Sequence, residues 1–205
     1  MSTREELRAK ARETLGGNIF AKPWLIVLLV LFVASAVISF AGNFIILPLI
    51  LSGPIYIGVY SYLLKYIRGQ NKLDSIDPVL DGFKSNIAEN IVLGLLHTLF
   101  IFLWMLLFII PGIVKYYSYS MSYYIKLDNP EMKANDAITE SRKMMDGQKG
   151  RLFLLDLSFI GWMIVGVLAL GVGTLWVTAY METTRLHFYE ELKAKRAEAE
   201  PIPEM

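Results

Sequence analysis

Ionisable side chains inside otherwise apolar segments are the residues of this sequence that could carry chemistry. His97, Asp156, Glu182 and Arg185 each lie about one to two helical turns inside the end of such a segment. Because an isolated charge is costly in lipid, residues at this depth usually face a bundle interior or pair with one another. We favour a structural cluster of ion pairs and hydrogen bonds, with a polar vestibule for a substrate or a proton as the alternative.

Asp156 is expected to find a cation across the bundle. An unpaired charge at its depth costs about 2 to 3 kcal/mol on insertion scales. Arg185 and Lys126 are the two candidate partners. Glu182 and Arg185 are also neighbours on one helix face, where they can neutralise each other.

Sequence signatures of enzymes are absent. The chain has no HExxH, GxSxG, phosphate-binding or dinucleotide-binding motif, and it contains 2 histidines and no cysteine. Without cysteine there is no disulfide, no thiolate metal site and no cysteine nucleophile. We therefore predict that the protein is not an enzyme and has no catalytic, cofactor-binding or metal-binding residues.

Two further groups of side chains have the chemistry to contact lipid headgroups. Lys115 and Tyr116, followed by more tyrosines, combine a positive charge with amphipathic rings, and an interfacial aromatic belt is the favoured interpretation over a lipid phosphate site. Arg142 and Lys143 lie on a charged helix face that is either solvated or in contact with anionic lipid or a protein partner.

The composition of the chain identifies the environment that these residues need. Hydrophobic residues make up 55% of the sequence and charged residues 19%, and the mean hydropathy is +0.45. A soluble domain of this length does not carry so much apolar surface. A formal net charge of +1 argues against a nucleic-acid partner, since proteins that bind the nucleic-acid backbone usually carry a pronounced basic excess or stripe.

The hydropathy pattern predicts an all-α polytopic membrane bundle of six transmembrane helices arranged as three hairpins. Each hairpin is preceded by an amphipathic cytoplasmic helix, at the N-terminal capping box Thr3 to Glu6, around Ile76 to Ile87, and from Pro130 to Asp146. The predicted spans are 23–41, 44–66, 91–110, 113–125, 152–170 and 174–187. Residues 1–192 form one membrane domain, and 193–205 are expected to be a charged, disordered tail.

The distribution of positive charge predicts the topology. Of the 20 lysines and arginines, all except Lys115 fall on segments predicted to face the cytoplasm. The short segment 113–125 must then return across the membrane after a turn at Pro111-Gly112, because the loops on both sides of 91–125 are basic. Turns at Gly42-Asn43 and 171–173 would close the other hairpins. Pro54 should kink the second span, for packing rather than as a hinge.

Several longer motifs resemble an uncharacterised bacterial membrane family, domain of unknown function 975. They are Ile110-Pro111-Gly112-Ile113, the run from Tyr117 to Met121, Asp128-Asn129-Pro130, Ser141-Arg142, the run from Met144 to Lys149, Leu157 to Trp162, and Gly171 to Trp176. Ala179 departs from the pattern, which has proline before Tyr180. The resemblance implies a bacterial multi-pass protein and supplies no catalytic residues.

The sequence thus predicts a protein of the bacterial cytoplasmic membrane, with both termini in the cytoplasm. We favour a non-enzymatic regulatory, scaffold or stress or immunity factor that acts through its cytoplasmic face. The alternative is a transporter or exporter of a small molecule, lipid or peptide. Membrane lipids and a cytoplasmic or membrane protein are the expected partners, and a homo-oligomer is compatible with the sequence.

Overall fold

All regular structure in the described part of the chain is helical. The computed structural model describes residues 2–18, 20–41, 47–70, 76–84, 86–168 and 171–199. The helices are α1 (Arg4–Thr14), α2 (Lys22–Ala41), α3 (Leu47–Ile67), α4 (Asp81–Lys84), α5 (Ile87–Leu107), α6 (Ile109–Tyr119), α7 (Ser122–Asp128), α8 (Ala134–Met144), α9 (Lys149–Leu157), α10 (Ile160–Leu168) and α11 (Val172–Ala199). A 3-10 turn at Asp77–Leu80 directly precedes α4. The predicted all-α class is confirmed.

Four stretches of these helices are long and apolar enough to cross a membrane. They are Lys22–Ser39, Leu47–Ile67, Ile87–Leu107 and Lys149–Leu168. Helices of about 20 apolar residues match the ~30 Å hydrocarbon core of a bilayer. Their outward side chains are large and apolar; Leu106, for example, is 72% exposed. Contiguous surface of this kind indicates a membrane protein.

Helices that follow one another pack side by side, α2 against α3, α5 against α6 and α10 against α11. Ion pairs gather at one end of these pairs. Arg68 after α3 binds Asp128 of α7 and Glu190 of α11, and Arg151 of α9 binds Glu191. We call this the charged end of the bundle. The turn predicted at Gly42-Asn43, on the opposite side of the first pair, lies outside the described residues.

Glycines bring α3 into backbone contact with its neighbours. A Cβ atom at Gly53 would overlap the carbonyl of Asn90 in α5, and one at Gly82 would overlap the carbonyl of Pro54. Helices approach this closely only where no Cβ intervenes. The Gly53-Pro54 pair therefore lies in a tight packing contact, as the favoured interpretation expected.

The second predicted amphipathic helix departs from the expectation. In place of one amphipathic helix on the membrane surface, the chain forms the 3-10 turn and the short α4, which bury Pro78 and Gly82. Ile76 and Leu80 are 60% and 51% exposed. The close approach of Gly82 to α3 fixes the rotation of this segment, and that rotation turns the bulky apolar side chains away from the protein.

The break between α5 and α6 falls before the predicted Pro111-Gly112 turn. Phe108 has the extended conformation there, with φ −157° and ψ 135°. Pro111 lies in the first turn of α6, where backbone N–H groups have no partner within the helix and proline costs no hydrogen bond. A Cβ at Gly112 would overlap Met105 of α5. Pro111 therefore lies in the first turn of α6, and Gly112 allows α6 to pack closely on α5. Neither residue forms the turn between the two helices.

The predicted span 113–125 is divided between α6 and α7, and a side chain from α8 stabilises the break. Ser141 accepts a hydrogen bond of 3.1 Å from the Met121 N–H and donates one of 2.8 Å to the Ser118 carbonyl. Backbone groups that helix formation leaves unpaired at the break thus find a partner. Ser141 is itself completely buried.

The first and third predicted amphipathic helices are present, and both dock on the bundle. The capping box of α1 is formed by Thr3 and Glu6, and Leu7 and Ala11 are buried. In α8 the buried face contains Ala134, Ala137, Ile138 and Ser141, and the helix packs against α5, α6 and α7. The small residues of this face allow close contact with protein, which is why α8 docks on the bundle.

The sixth predicted span, 174–187, is part of a longer helix. α11 continues from Val172 to Ala199, so residues 193–199 of the expected disordered tail are helical. Lys193 binds Asp128 and Arg196 binds Glu140 of α8. These tertiary ion pairs hold the last turns of α11 against the bundle, a contribution that composition alone does not reveal.

Candidate functional site

A buried ion pair connects α9 to α11. The Arg185 guanidinium donates to both carboxylate oxygens of Asp156, with Nη2–Oδ2 at 2.6 Å and Nε–Oδ1 at 3.0 Å. Both side chains are only 13% exposed. Paired donors of this kind match the geometry of a carboxylate and fix its orientation. The prediction that Asp156 pairs across the bundle is confirmed for Arg185.

Lys126, the other predicted partner of Asp156, has a different role. Its ammonium group donates to the backbone carbonyls of Pro130, at 2.7 Å, and of Met132. The residue is 2% exposed. Lys126 therefore stabilises the connection between α7 and α8, and Asp156 pairs with Arg185 instead.

Glu182 lies beside this pair with one oxygen unmatched. Its Oε1 is 3.5 Å from Arg185 Nη1, and the side chains of Tyr60 and Tyr124 face the same carboxylate. Oε2 is buried and has no hydrogen-bond partner among the described residues. A buried carboxylate oxygen without a donor is destabilising as an anion. Glu182 is therefore less completely hydrogen-bonded in the described structure than Asp156, whose two oxygens both meet Arg185.

Tyrosines of α6 complete the cluster. The Tyr117 hydroxyl donates to Asp156 Oδ2 at 3.1 Å, and the Tyr116 hydroxyl is 3.4 Å from Arg185 Nη2. Tyr116, a candidate for lipid headgroup contact, is partly buried, and its hydroxyl faces this cluster. The cause is the packing of α6 against α9, which turns this edge of the helix inward.

His97 does not join the other three residues of the predicted cluster. Its ring packs on Tyr123 at 5.1 Å between centroids, and Tyr123 in turn lies 6.0 Å from Tyr60. Its Nε2 is buried without a hydrogen-bond partner in the described structure. The histidine thus reaches the Glu182 environment only through intervening tyrosine rings.

A second charged cluster at the charged end was not predicted. Asp128 accepts hydrogen bonds from Arg68 at 2.7 and 3.1 Å, from Tyr189 at 2.7 Å and from Lys193 at 2.6 Å. Burial by itself raises the pKa of Asp128, but these donors outweigh it and hold the pKa below its ordinary value. Arg68 also binds Glu190 at 2.6 Å.

Only an indirect signal for this second cluster is visible in the sequence. Asp128 belongs to the Asp128-Asn129-Pro130 motif, which indicates the family resemblance but does not indicate a tertiary contact of Asp128. Its partners are 60 residues away, at Arg68, and 61 and 65 residues away in α11. Contacts between such distant positions depend on how the helices pack.

Lys115 and the basic pair on α8 occupy different environments. The Lys115 ammonium lies 4.6 Å from the centre of the Trp104 ring, a cation–π contact within the α5–α6 pair. It stands one turn before Ser118, the residue bonded to α8, and Arg142 and Lys149 contribute to its electrostatic environment. Lys115 is therefore partly buried and contacts the aromatic ring of the neighbouring helix α5. Arg142 and Lys143 are exposed.

Within the described ranges no group of three or more His, Asp or Glu side chains is placed to hold a metal ion. The carboxylates near the bundle interior are Asp156, matched by an arginine, and Glu182, with its unmatched oxygen.

The fold and these buried pairs define a class, that of all-helical membrane proteins with a polar cluster inside the bundle. Within that class, the chain belongs to the family described as Protein of unknown function (DUF975), whose model matches residues 1–118 and 109–196. The family resemblance drawn from the motifs is thereby confirmed. No curated protein and no solved structure matches the chain.

Proposed function

We propose that this is a bacterial multi-pass membrane protein that acts without enzymatic activity, as a regulator, scaffold or stress or immunity factor, through its cytoplasmic face. The observation that carries this proposal is the construction of the charged end. α8 and the last turns of α11 are held together by Arg196 and Glu140 at 2.9 Å, and Lys193 anchors α11 to Asp128 at 2.6 Å. A surface fixed in this way is preorganised for a partner.

The proposed topology has six spans and both termini in the cytoplasm. The side-by-side packing of α2 with α3, α5 with α6 and α10 with α11 supports three hairpins. The positive-inside rule places the charged end in the cytoplasm, since lysines and arginines concentrate in cytoplasmic loops. α6 with α7, and the first half of α11, would be the return crossings.

Because the natural chain has no cysteine, single cysteines report the topology directly. Asn135→Cys places a thiol on the exposed side of α8, and Phe108→Cys places one between α5 and α6, where Phe108 is 71% exposed. In intact cells, a membrane-impermeant maleimide should label position 108 and leave position 135 unlabelled until the membrane is opened. External labelling at position 135 contradicts the proposed orientation.

Partner binding is tested at the exposed basic pair of α8. The double variant Arg142→Glu, Lys143→Glu reverses the charge of this exposed surface without touching the buried face of α8. Lys84→Glu, which reverses an exposed charge on α4, is the control. After crosslinking in native membranes, the double variant should lose partners that the wild type and the control retain. An identical set of crosslinked proteins from all three chains argues against this surface as the binding site.

Transport of a small molecule, lipid or peptide is the second candidate. The buried Glu182, with its unmatched oxygen beside Arg185, is the observation that favours it, since ionisable groups inside a membrane bundle often mark pathways for ions or protons. Purified protein in liposomes would be tested with a fluorescent phospholipid and a membrane-impermeant quencher. Translocation that is lost in Glu182→Gln would favour transport over a scaffold.

A further inference from the structure

A cleft with an apolar part and a charged part runs along the outside of the bundle. The apolar part, about 580 Å³, lies between α2, α10 and α11. Its wall contains three of the four tryptophans of the chain, Trp24, Trp162 and Trp176, together with Val165 and Val177. From Gly173 to Tyr180, α11 contributes about 10 Å of this wall. A single leaflet offers about 15 Å of hydrocarbon, half of the ~30 Å core.

The charged part adjoins the apolar part at the charged end. A second depression, about 530 Å³, is lined by Glu5, Arg8, Ala9, Arg12, Glu13 and Gly17 of α1 and its C-terminal turn. Arg12 and Gly17 belong to both volumes, so the two form one continuous amphipathic site.

Two buried hydrogen-bond donors, one on a residue of each part of the cleft, have no acceptor among the described residues. Trp24 is 4% exposed, yet its indole N–H has no partner among the described residues, and the buried Nε of Arg8 has none either. Neither Arg8 nor Arg12 forms a salt bridge in the described part of the chain, in contrast to Arg68, Arg151 and Arg185. Donors without acceptors indicate a ligand that brings oxygen atoms.

The arginines are nevertheless held in place. Arg8 lies over the Phe159 ring at 5.3 Å, and Arg12 donates to the Tyr180 hydroxyl at 3.4 Å. That hydroxyl in turn donates to the Arg8 carbonyl at 3.0 Å. The charged part is therefore preformed by the docking of α1 on α11, and a ligand does not have to order it.

The positive and negative side chains of the charged part indicate which lipid headgroup would fit there. Two arginines and two glutamates line the charged part. A purely anionic headgroup would meet repulsion from Glu5 and Glu13. A headgroup with a phosphate and a neighbouring primary ammonium fits both kinds of side chain. The phosphate accepts charge-assisted hydrogen bonds from the arginines, and the ammonium donates them to the glutamate carboxylates.

We propose that this cleft is a binding site for a phospholipid with a phosphoethanolamine headgroup. One acyl chain lies against the tryptophans between α2, α10 and α11, the phosphate binds Arg8 and Arg12, and the ammonium binds Glu5 or Glu13. The rim of the cleft is open to a lipid approaching from the side, since Phe20 is 69% and Trp162 is 52% exposed. The site is separate from the basic surface of α8.

Native mass spectrometry of the detergent-purified protein tests the site. Phosphatidylethanolamine, phosphatidylglycerol and phosphatidylcholine with identical acyl chains would each be added alone. The ethanolamine lipid should bind about tenfold more tightly than the other two, which corresponds to about 1.4 kcal/mol. Phosphatidylcholine is the sharper comparison, because its quaternary ammonium retains the charge but cannot donate a hydrogen bond.

Variants of the cleft separate this site from general lipid adhesion. Arg12→Gln and Trp24→Phe should each reduce binding of the ethanolamine lipid, since one removes the phosphate contact and the other removes the indole N–H while keeping an aromatic ring. Arg142→Gln, on the exposed side of α8, is the control and should bind as the wild type does. Thermal stability, measured without lipid, identifies a variant that has merely lost its fold.

Three results would overturn the proposal. Equal affinity for all three lipids would show that the headgroup is not recognised. Equal losses in Arg12→Gln and Arg142→Gln would place the lipid elsewhere. A dimer that disappears in Trp24→Phe, with no change in lipid binding, would assign the cleft to a second copy of the chain. Loss of partner binding in the α8 double variant has no bearing on any of these outcomes.

Discussion

The ion pair between Asp156 and Arg185 offers the most direct test of how the bundle interior is stabilised. Asp156→Leu keeps the number and branching of the side-chain heavy atoms but replaces both oxygens that Arg185 contacts at 2.6 and 3.0 Å with methyl groups. The arginine is then a buried cation, 13% exposed, with Glu182 at 3.5 Å as its remaining acid. We expect a clear loss of stability.

The magnitude follows from the burial of the pair. Removing one partner of a buried ion pair typically costs about 3 to 5 kcal/mol, because the other charge stays buried and uncompensated. Since Glu182 takes over part of the compensation, we expect the lower end, about 3 kcal/mol. Replacing both residues, in Asp156→Leu with Arg185→Leu, should cost less than the sum of the single changes, with a coupling of about 1 to 3 kcal/mol.

The measurement is a double-mutant cycle on the purified protein in mixed micelles. Unfolding by a rising fraction of sodium dodecyl sulfate, followed by far-ultraviolet circular dichroism, gives the free energy of unfolding for the wild type, both single variants and the double variant. Asp136→Leu is the matched control, because Asp136 is exposed on the first turn of α8. Its removal should cost only about 0.5 kcal/mol.

Additive losses in the cycle would refute this reasoning. Additivity means that each residue stabilises the bundle independently, in which case the short distances between Asp156 and Arg185 carry no energetic coupling. A control loss as large as that of Asp156→Leu would point instead to a general effect of removing acidic residues.

Three further predictions concern the helix contacts. Ser141→Ala should lower the free energy of unfolding by about 1 to 3 kcal/mol, because it leaves a buried backbone N–H at the α6–α7 break without an acceptor; an unchanged unfolding curve in micelles would contradict this. Gly82→Ala should destabilise the same curve by driving a Cβ into the Pro54 carbonyl, whereas Gly150→Ala, which meets nothing within 4 Å, should be neutral or stabilising. Asp128 has a lowered pKa, so its stabilising contribution is complete above the ordinary value of 3.8 and is lost as the pH falls through the lower folded-state pKa; Asp128→Asn should flatten the loss of stability measured below pH 3.8, and parallel pH profiles would argue against that role.

Some parts of this structure follow from local sequence. The capping box at Thr3 and Glu6 starts α1 because both partners lie within one turn of each other. The buried faces of α1 and α8 follow from apolar residues at helical spacing, which have one favourable way to meet the bundle. The pairing of Asp156 with Arg185 was also accessible, because a deeply placed acid needs a cation and few candidates exist at that depth.

Other parts depend on packing between distant segments. The stripe from Ile76 to Phe83 has a helical period, yet the contact between Gly82 and Pro54 turns it outward, and no periodicity encodes that rotation. The position of Pro111 in α6 was misjudged for a related reason, since proline at a helix start and proline in a turn look alike in sequence.

The charged end and the proposed lipid cleft show the same division most clearly. Arg68 meets Asp128 and Glu190 across 60 and 122 residues, and Arg12 meets Tyr180 across 168. The sequence by itself determines which segments are apolar helices and which carry charge, because these properties are local. Only the tertiary structure decides which charged side chains meet and which donors remain without acceptors, because both depend on the rotation and depth at which each helix packs.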